Sequence, residues 1–150
     1  AGLKVRLGAY GDPSAIPFYV WDTILVQAKN WTGYTHQWRR AFAAPFKKYC
    51  MASCETEAHF RHAHNKGWRT FRITGEGYKL LPGEFECPAS EEQGHRRTCE
   101  TCMACNGGKN SKASVAIVGH GPTWKAKRLQ ELLKKMRNHE TYRTGWNNHK

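Results

Sequence analysis

The chain has 150 residues, of which 39% are hydrophobic, so it can build one domain with a proper core but not two large domains. Its 24 Lys and Arg against 12 Asp and Glu give a net charge of +12. Such a surface attracts polyanions, and nucleic acid is the expected partner because phosphate contacts release condensed counterions. No apolar run approaches the roughly 20 residues that span a bilayer, and the N-terminus lacks the layout of a signal peptide. These features argue against a membrane partner and predict a cytoplasmic protein.

The predicted elements alternate between strand and helix along most of the chain. Short apolar runs bounded by turn residues indicate strands, and apolar residues at helical spacing indicate helices. In chain order we predict a strand in 5–12, a helix in 20–28, a strand in 31–38, a strand in 49–53, a helix in 55–65, a strand in 68–74, a loop with one weak strand in 78–86, a strand in 114–118 and a helix in 124–137.

Strands that alternate with helices are typical of an α/β fold with right-handed crossovers. We expect a mainly parallel sheet of about five strands with crossover helices, as an open sheet or a partial barrel, plus a cysteine-rich metal-binding loop. The domain is expected to cover 1–137, with the metal-binding insertion at 87–110. The polar, aperiodic segment 138–150 is expected to be a flexible basic tail.

Four of the six cysteines lie close together and predict a metal site. Cys99, Cys102 and Cys105 repeat at every third residue, and Cys87 precedes a proline upstream of them. Metal ligation explains this crowding better than a disulfide framework does. Zinc in a closed tetrahedral site of four thiolates is the first expectation. A four-iron, four-sulfur cluster takes the same ligands and is the alternative, and free or disulfide-bonded thiols are the third possibility.

Several residues with catalytic chemistry follow the predicted strands. In a parallel sheet these positions meet at one edge, where ligands commonly bind. Asp12 follows the first strand, His36 lies near the end of the second, and His120 follows the last. A carboxylate with two imidazoles can bind a divalent metal or act as an acid and base pair, so these three are the candidate catalytic residues. Each also has a structural explanation, as a turn residue or a buried histidine.

Basic residues are concentrated at two places that suit phosphate contact. The C-terminal helix is basic and amphipathic, with an apolar stripe of Leu129, Leu132, Leu133 and Met136. A solvated charged face is the alternative interpretation of its cations. Trp31, Tyr34, Trp38 and Trp68 are candidate stacking platforms for bases, with core packing as the alternative. The candidate nucleic-acid-binding residues are Arg39, Arg40, Lys125, Lys127, Arg128, Lys134 and Lys135.

Several phrases resemble a family of uncharacterised bacteriophage and plasmid proteins, over roughly residues 5–121. The phrases are 8–13 (GAYGDP), 33–38 (GYTHQW), 51–53 (MAS), 67–72 (GWRTFR), 87–90 (CPAS), 98–105 (TCxxCxxC) and 115–121, which ends in HG. Members of that family usually carry a further cysteine-containing segment upstream, so the resemblance implies that this chain is a C-terminal portion. It also places the protein in the cytoplasm of a bacterial host cell.

The strand order and cysteine usage are also similar in outline to the half-barrels of radical enzymes that use S-adenosylmethionine. The N-terminal cysteine triad that defines those enzymes is missing from the sequence, so this is an analogy of fold.

Three functions are consistent with the sequence. The first is a phage-type, metal-stabilised protein that binds nucleic acid. The second is an enzyme with a strand-end active site, either a nuclease-like hydrolase or a radical-type iron-sulfur enzyme. The third is a phage factor that binds a host protein through its basic face. The sequence does not determine whether the protein is an enzyme, or its oligomeric state.

Overall fold

The structure, a computed structural model, describes residues 2–108, 113–119 and 123–146, without the side chains of 92, 123 and 140–146. The strands are β1 (Lys4–Arg6), β2 (Asn30–Thr32), β3 (Tyr34–Thr35), β4 (Met51–Cys54), β5 (Thr70–Thr74), β6 (Glu84–Glu86) and β7 (Ser114–Val118). The α-helices are α1 (Phe18–Leu25), α2 (Glu57–Asn65), α3 (Cys99–Cys102) and α4 (Thr123–Trp146). Short 3-10 helices occupy Pro13–Ala15, Ala41–Lys48 and Glu91–Gln93.

Every strand pairing in the described residues is parallel. A five-stranded sheet has the order β3-β4-β5-β7-β6, and β1 pairs with β2 in a two-stranded sheet. The predicted α/β fold with a mainly parallel sheet is therefore confirmed. The strands end at a common edge, called here the carboxyl edge, which carries the loops after β1, β3, β4 and β5.

The predicted second strand is divided by Gly33 into β2 and β3. The Gly33 amide donates to the Cys105 carbonyl, and its own carbonyl accepts from Met51. A side chain has no room here, since a Cβ at Gly33 would lie 2.9 Å from Cys50 Sγ and 3.2 Å from Leu7 Cβ. The close approach of the backbone to its neighbours explains both the glycine and the interruption of the strand.

The two faces of the sheet are covered by different parts of the chain, because side chains alternate along each strand. On one face, Ala52 and Cys54 of β4 belong to a core cluster with residues of α1, α2 and the segment 41–48. On the other face, Met51 packs with Val115 and Ile117 of β7, and with Cys87 and Cys105. The second face is thus covered by the cysteine segment rather than by a long helix.

Helix α4 differs from the prediction in length and in its buried face. It continues past 137 to Trp146, through much of the segment expected to be a tail, and 147–150 lie outside the described residues. Leu133 is buried, whereas Leu132 of the same predicted stripe is 49% exposed. Among the described helices, none combines the length and apolar character needed to cross a membrane.

Candidate metal centre and carboxyl edge

The cysteine segment, residues 87–105, runs from the end of β6 across one face of the sheet. Its first residue is fixed by a hydrogen bond from the Cys87 amide to the Ala116 carbonyl, at 2.8 Å. Thr98 caps the single turn of α3 by accepting from the Thr101 amide. Met103 then adopts a left-handed conformation, with φ of 51°, which ends the turn and redirects the chain toward β7.

The four predicted ligands line one cavity beneath this segment. The volume of the cavity is about 10 Å³. Cys87 and Cys105 are buried, Cys102 is half-buried and Cys99 is exposed. The four cysteines that the sequence predicts as ligands therefore lie around a common space.

Two of the thiols already accept hydrogen bonds from the protein. The Ala89 amide donates to the sulfur of Cys87, and the Tyr34 hydroxyl donates to that of Cys105. Burial raises the pKa of Cys105 to about 12, and the bond from Tyr34 offsets only part of this rise. Burial likewise raises the pKa of Cys87. A cation is therefore needed to keep these sulfurs as thiolates at neutral pH.

The thiols share a cavity but do not form a finished ligand set. Within 2–108, 113–119 and 123–146, no three Cys, His, Asp or Glu side chains are grouped as a metal site. All six cysteines, each within the described residues, are free thiols, which disagrees with the disulfide alternative. The metal-binding character of the loop stays a prediction.

Arg69 holds the chain at the end of the cysteine segment and just beyond it. Its guanidinium donates to the backbone carbonyls of Ala113 at 2.7 Å and Ala104 at 3.1 Å, and also to that of Gly107. A fourth bond, at 3.1 Å, reaches the side-chain oxygen of Asn106. All four acceptors are neutral, although Arg69 is buried. Burial lowers the pKa of Arg69, while the neighbouring Cys105 acts in the opposite direction.

Asp12 and His36 meet at the carboxyl edge, but in a structural arrangement. Asp12 Oδ1 accepts from the Ser14 amide and hydroxyl and from the Thr35 hydroxyl, while Oδ2 accepts from the His36 amide at 2.7 Å. The His36 ring lies 3.8 Å from Oδ2, and 64% of its side chain is exposed. The carboxylate thus caps the 3-10 helix at Pro13–Ala15 and joins it to β3. The prediction of a catalytic Asp12 is not supported, because both of its oxygens are already engaged. His120 lies outside the described residues.

A carboxylate and imidazole pair, Glu55 and His59, which the sequence analysis did not connect with each other, lies at the same edge. His59 Nδ1 is 2.9 Å from Glu55 Oε2, and both side chains are about one quarter exposed, at 24% and 26%. Burial acts to raise the pKa of Glu55. The bond from His59 and the nearby His36 and Arg39 act to lower it and outweigh burial, so the pKa lies below its ordinary value. The spacing of four residues within the predicted helix 55–65 was the available signal.

His64, also on α2, is half-buried. Its Nε2 lies 2.9 Å from the Ser114 hydroxyl, which itself accepts from the Thr70 amide. This contact fastens α2 to the beginning of β7, so His64 has a structural role. His62 of the same helix is exposed.

The candidate nucleic-acid-binding residues are available at the surface. Arg39 and Arg40 are exposed and follow β3. The Arg39 guanidinium lies 4.1 Å from the centre of the Trp38 ring. The five candidates on α4 are also exposed, namely Lys125, Lys127, Arg128, Lys134 and Lys135.

The predicted aromatic stacking platforms are core residues. Trp31, Trp38 and Trp68 are buried, with exposures of 7%, 1% and 3%. Tyr34 packs against Phe71, with ring centres 4.5 Å apart. Their interpretation as base-stacking residues was wrong, because a core of this size needs large side chains to fill it.

Comparisons with protein-family models, with curated proteins and with solved structures find no match for the chain. Assignment of a function therefore depends on the geometry and chemistry described above.

Proposed function

We propose that the protein binds nucleic acid through the basic face of α4, and that a structural metal ion holds the cysteine segment in place. The observation that carries the proposal is the exposed cationic stripe of α4 in a protein of net charge +12. Phosphate contacts of this kind supply most of the affinity in sequence-independent binding.

Helical geometry gathers four of the cations of α4. Residues seven apart lie about 20° apart around a helix, so Lys127 aligns with Lys134, and Arg128 with Lys135. All four are exposed, and Leu133 marks a different, buried face. Glu131 is the exposed carboxylate within this stripe. The four cations therefore form two rows about 100° apart around the helix, with Glu131 between them, and together make one basic face that can contact a phosphate backbone.

The nucleic-acid proposal is tested by fluorescence anisotropy with labelled single-stranded DNA, duplex DNA and RNA, between about 50 and 200 mM salt. We expect affinity to fall steeply with salt. The double substitution Lys134→Gln and Lys135→Gln is expected to weaken binding and to reduce the salt slope by about two. The matched control Glu131→Gln removes the opposite charge from the same stripe and is expected to strengthen binding. Binding that is absent, or insensitive to salt and to these changes, contradicts the proposal.

The metal proposal is supported by the charges around the cysteine cavity. Four thiolates around one divalent ion leave a net negative charge, which is costly to bury without compensation. Arg69 is a buried cation whose four hydrogen bonds go to neutral acceptors, and its charge interacts with Cys105. An anionic centre would give this buried charge a partner.

The size of the cavity favours one ion over a cluster. A volume of about 10 Å³ accommodates about one atom of the size of a water oxygen. Zinc with four thiolates needs no further space, whereas a four-iron, four-sulfur cluster places eight atoms between its ligands. We therefore propose zinc, with Cys87, Cys99, Cys102 and Cys105 as its ligands.

Elemental analysis and an absorption spectrum of protein purified without oxygen test the metal proposal. One zinc per chain and no visible colour are expected, with loss of the metal in Cys102→Ser. Cys54→Ala is the control, because Cys54 is buried on the opposite face of the sheet. The zinc content of this variant is expected to stay unchanged. Iron with broad absorption near roughly 400 nm would show that the cysteines hold an iron-sulfur cluster instead of zinc. Absence of any metal would overturn the proposal.

A further inference from the structure

A cavity of about 450 Å³ opens at the carboxyl edge, above the ends of β4 and β5. The first turn of α2 forms one wall, the loop after β5 a second, and α4 a third through Leu133 and Arg137. Its volume lies within the range of small-molecule sites, and ligands of parallel sheets bind at this edge. Of the catalytic candidates chosen from the sequence, neither Asp12 nor His36 lines it.

The walls carry cations that suit a phosphate group. Lys79 and Arg137 are exposed and line the cavity, and Arg61 lies beside them. Arg61 pairs with Glu57, but this pair is 72% and 50% exposed and can exchange partners at little cost. The cavity therefore attracts an anion from the side of α4, the helix that carries the basic stripe.

One wall is an aromatic ring held in a fixed position. Tyr78 lines the cavity and is half-buried. Its hydroxyl accepts from Gln93 at 2.8 Å, and the Arg72 guanidinium lies 5.7 Å from its ring centre. Arg72 is itself held by a two-bond ion pair with the fully buried Glu84, with both bonds 2.7 Å long. A ring supported in this way offers a base a stacking surface without a large entropic cost.

The remaining polar groups suit the edge of a base better than they suit a phosphate. Glu55 and Glu57 line the cavity, and their carboxylates accept hydrogen bonds from amino groups such as those of cytosine or adenine. Glu55 is oriented by its bond to His59. The carboxylates repel a bare anion from one wall, and the cations attract it to the other. The cavity therefore suits a ligand that has a phosphate at one end and amino groups at the other.

We infer that this cavity binds one unpaired nucleotide of the nucleic acid held by α4, with the base against Tyr78 and its phosphate near Lys79 and Arg137. The inference rests on the proposed function and adds a ligand class and a site to it. A base inside a duplex is stacked between its neighbours on both faces and cannot lie against Tyr78 in the cavity, so single strands are expected to bind more tightly than duplexes.

Calorimetry with the four nucleoside monophosphates and with inorganic phosphate, on the full chain, tests the inference. At least one monophosphate is expected to bind tenfold or more tightly than phosphate. Tyr78→Ala is expected to weaken it about tenfold, within the range that stacking on an aromatic ring contributes. Tyr78→Phe keeps the ring and is expected to retain binding. Lys79→Gln is expected to weaken the binding of monophosphates, whereas Lys29→Gln, at an exposed residue outside the cavity, leaves that binding unchanged.

The outcomes separate this inference from the proposed function. If oligonucleotides bind but every monophosphate binds no better than phosphate, the nucleotide cavity is overturned and the basic face stands. If monophosphates bind with the stated dependence on Tyr78 but oligonucleotides do not bind, the basic face is overturned and the cavity stands. Equal binding of Tyr78→Ala and Tyr78→Phe, with both variants folded by circular dichroism, also overturns the role of the ring.

Discussion

Asp12 shows how a residue with catalytic chemistry can be committed to structure. Its oxygens accept bonds from Ser14, Thr35 and the His36 amide, which hold the loop after β1 against the end of β3. Burial acts to raise the pKa of Asp12, but these hydrogen bonds outweigh burial and lower it. The carboxylate is therefore more stable ionised in the folded protein than in the unfolded chain.

A depressed carboxyl pKa makes the contribution of Asp12 to stability dependent on pH. The contribution is complete above the ordinary value of 3.8 and is lost as the pH falls through the lower folded value. We expect Asp12→Ala to lower the free energy of unfolding at pH 7 by about 1 kcal/mol, as loss of a helix cap does. Urea unfolding at neutral pH and near the folded pKa measures the difference from the wild type, which should shrink in acid. Asp12→Asn keeps one acceptor oxygen and should lose less. An unchanged difference at both pH values would contradict this account.

The sequence predicted that Asp12 and His36 are neighbours, since both follow strands that are parallel and adjacent in order. It did not predict that the carboxylate is occupied, because its donors are two backbone amides and two ordinary hydroxyls. The role of Arg69 was similarly hidden. Three of its four acceptors are backbone carbonyls, which every residue carries and no pattern distinguishes.

At the scale of elements, the path of the chain just after the cysteine segment depends on one glycine. Gly107 has φ of +65°, and a Cβ there would lie 2.7 Å from backbone atoms of Tyr49 and Cys50. The segment must pass this close because Gly108 donates to the Lys47 carbonyl at 3.0 Å. Backbone atoms cannot move aside as a side chain can.

Two glycines with the same conformational preference separate the effect of backbone strain from that of crowding. Gly83 has φ of +86°, but a Cβ there would meet nothing within 4 Å. Gly83→Ala is expected to cost about 1 kcal/mol of unfolding free energy through strain alone. Gly107→Ala adds the clash and is expected to cost about 1–3 kcal/mol more. Thermal or urea unfolding of the two variants gives the comparison, and equal losses would show that the packing around Gly107 is unimportant.

The elements with a clear period were predicted well, and the errors follow from tertiary context. The strand at 114–118 was predicted with the bounds of β7, because a continuous apolar run is typical of a buried parallel strand. By contrast, β6 (Glu84–Glu86) contains two charged residues and has little strand character alone. Glu84 is buried there because it pairs with Arg72, a partner that local periodicity cannot show.

For the molecule as a whole, the proposed zinc site predicts what a chelator does. The cysteine segment covers the sheet face formed by Met51, Val115 and Ile117. If zinc holds that segment, a chelator should speed amide exchange in 98–105 and increase dye binding to the uncovered face, while β4 and β5 stay protected by the other core. Hydrogen-exchange mass spectrometry measures both regions.

The variant Cys102→Ser provides the control for chelation. Having lost its metal already, it should exchange rapidly in 98–105 before chelator is added and show no further change. Exchange in the wild type that is the same with and without chelator would show that the segment is held by protein contacts alone.

The sheet order has a consequence for the time at which the protein becomes complete. Among the described residues, β6 is paired only with β7, and β7 lies between β6 and β5, although it is the last described strand in chain order. During synthesis, β6 therefore emerges with no partner and waits until Ser114–Val118 has left the ribosome. The last strand then enters the middle of the sheet rather than its edge, and pairings this distant in sequence form slowly. The sheet of the nascent protein is consequently exposed to proteases and chaperones until β7 has been translated and has emerged.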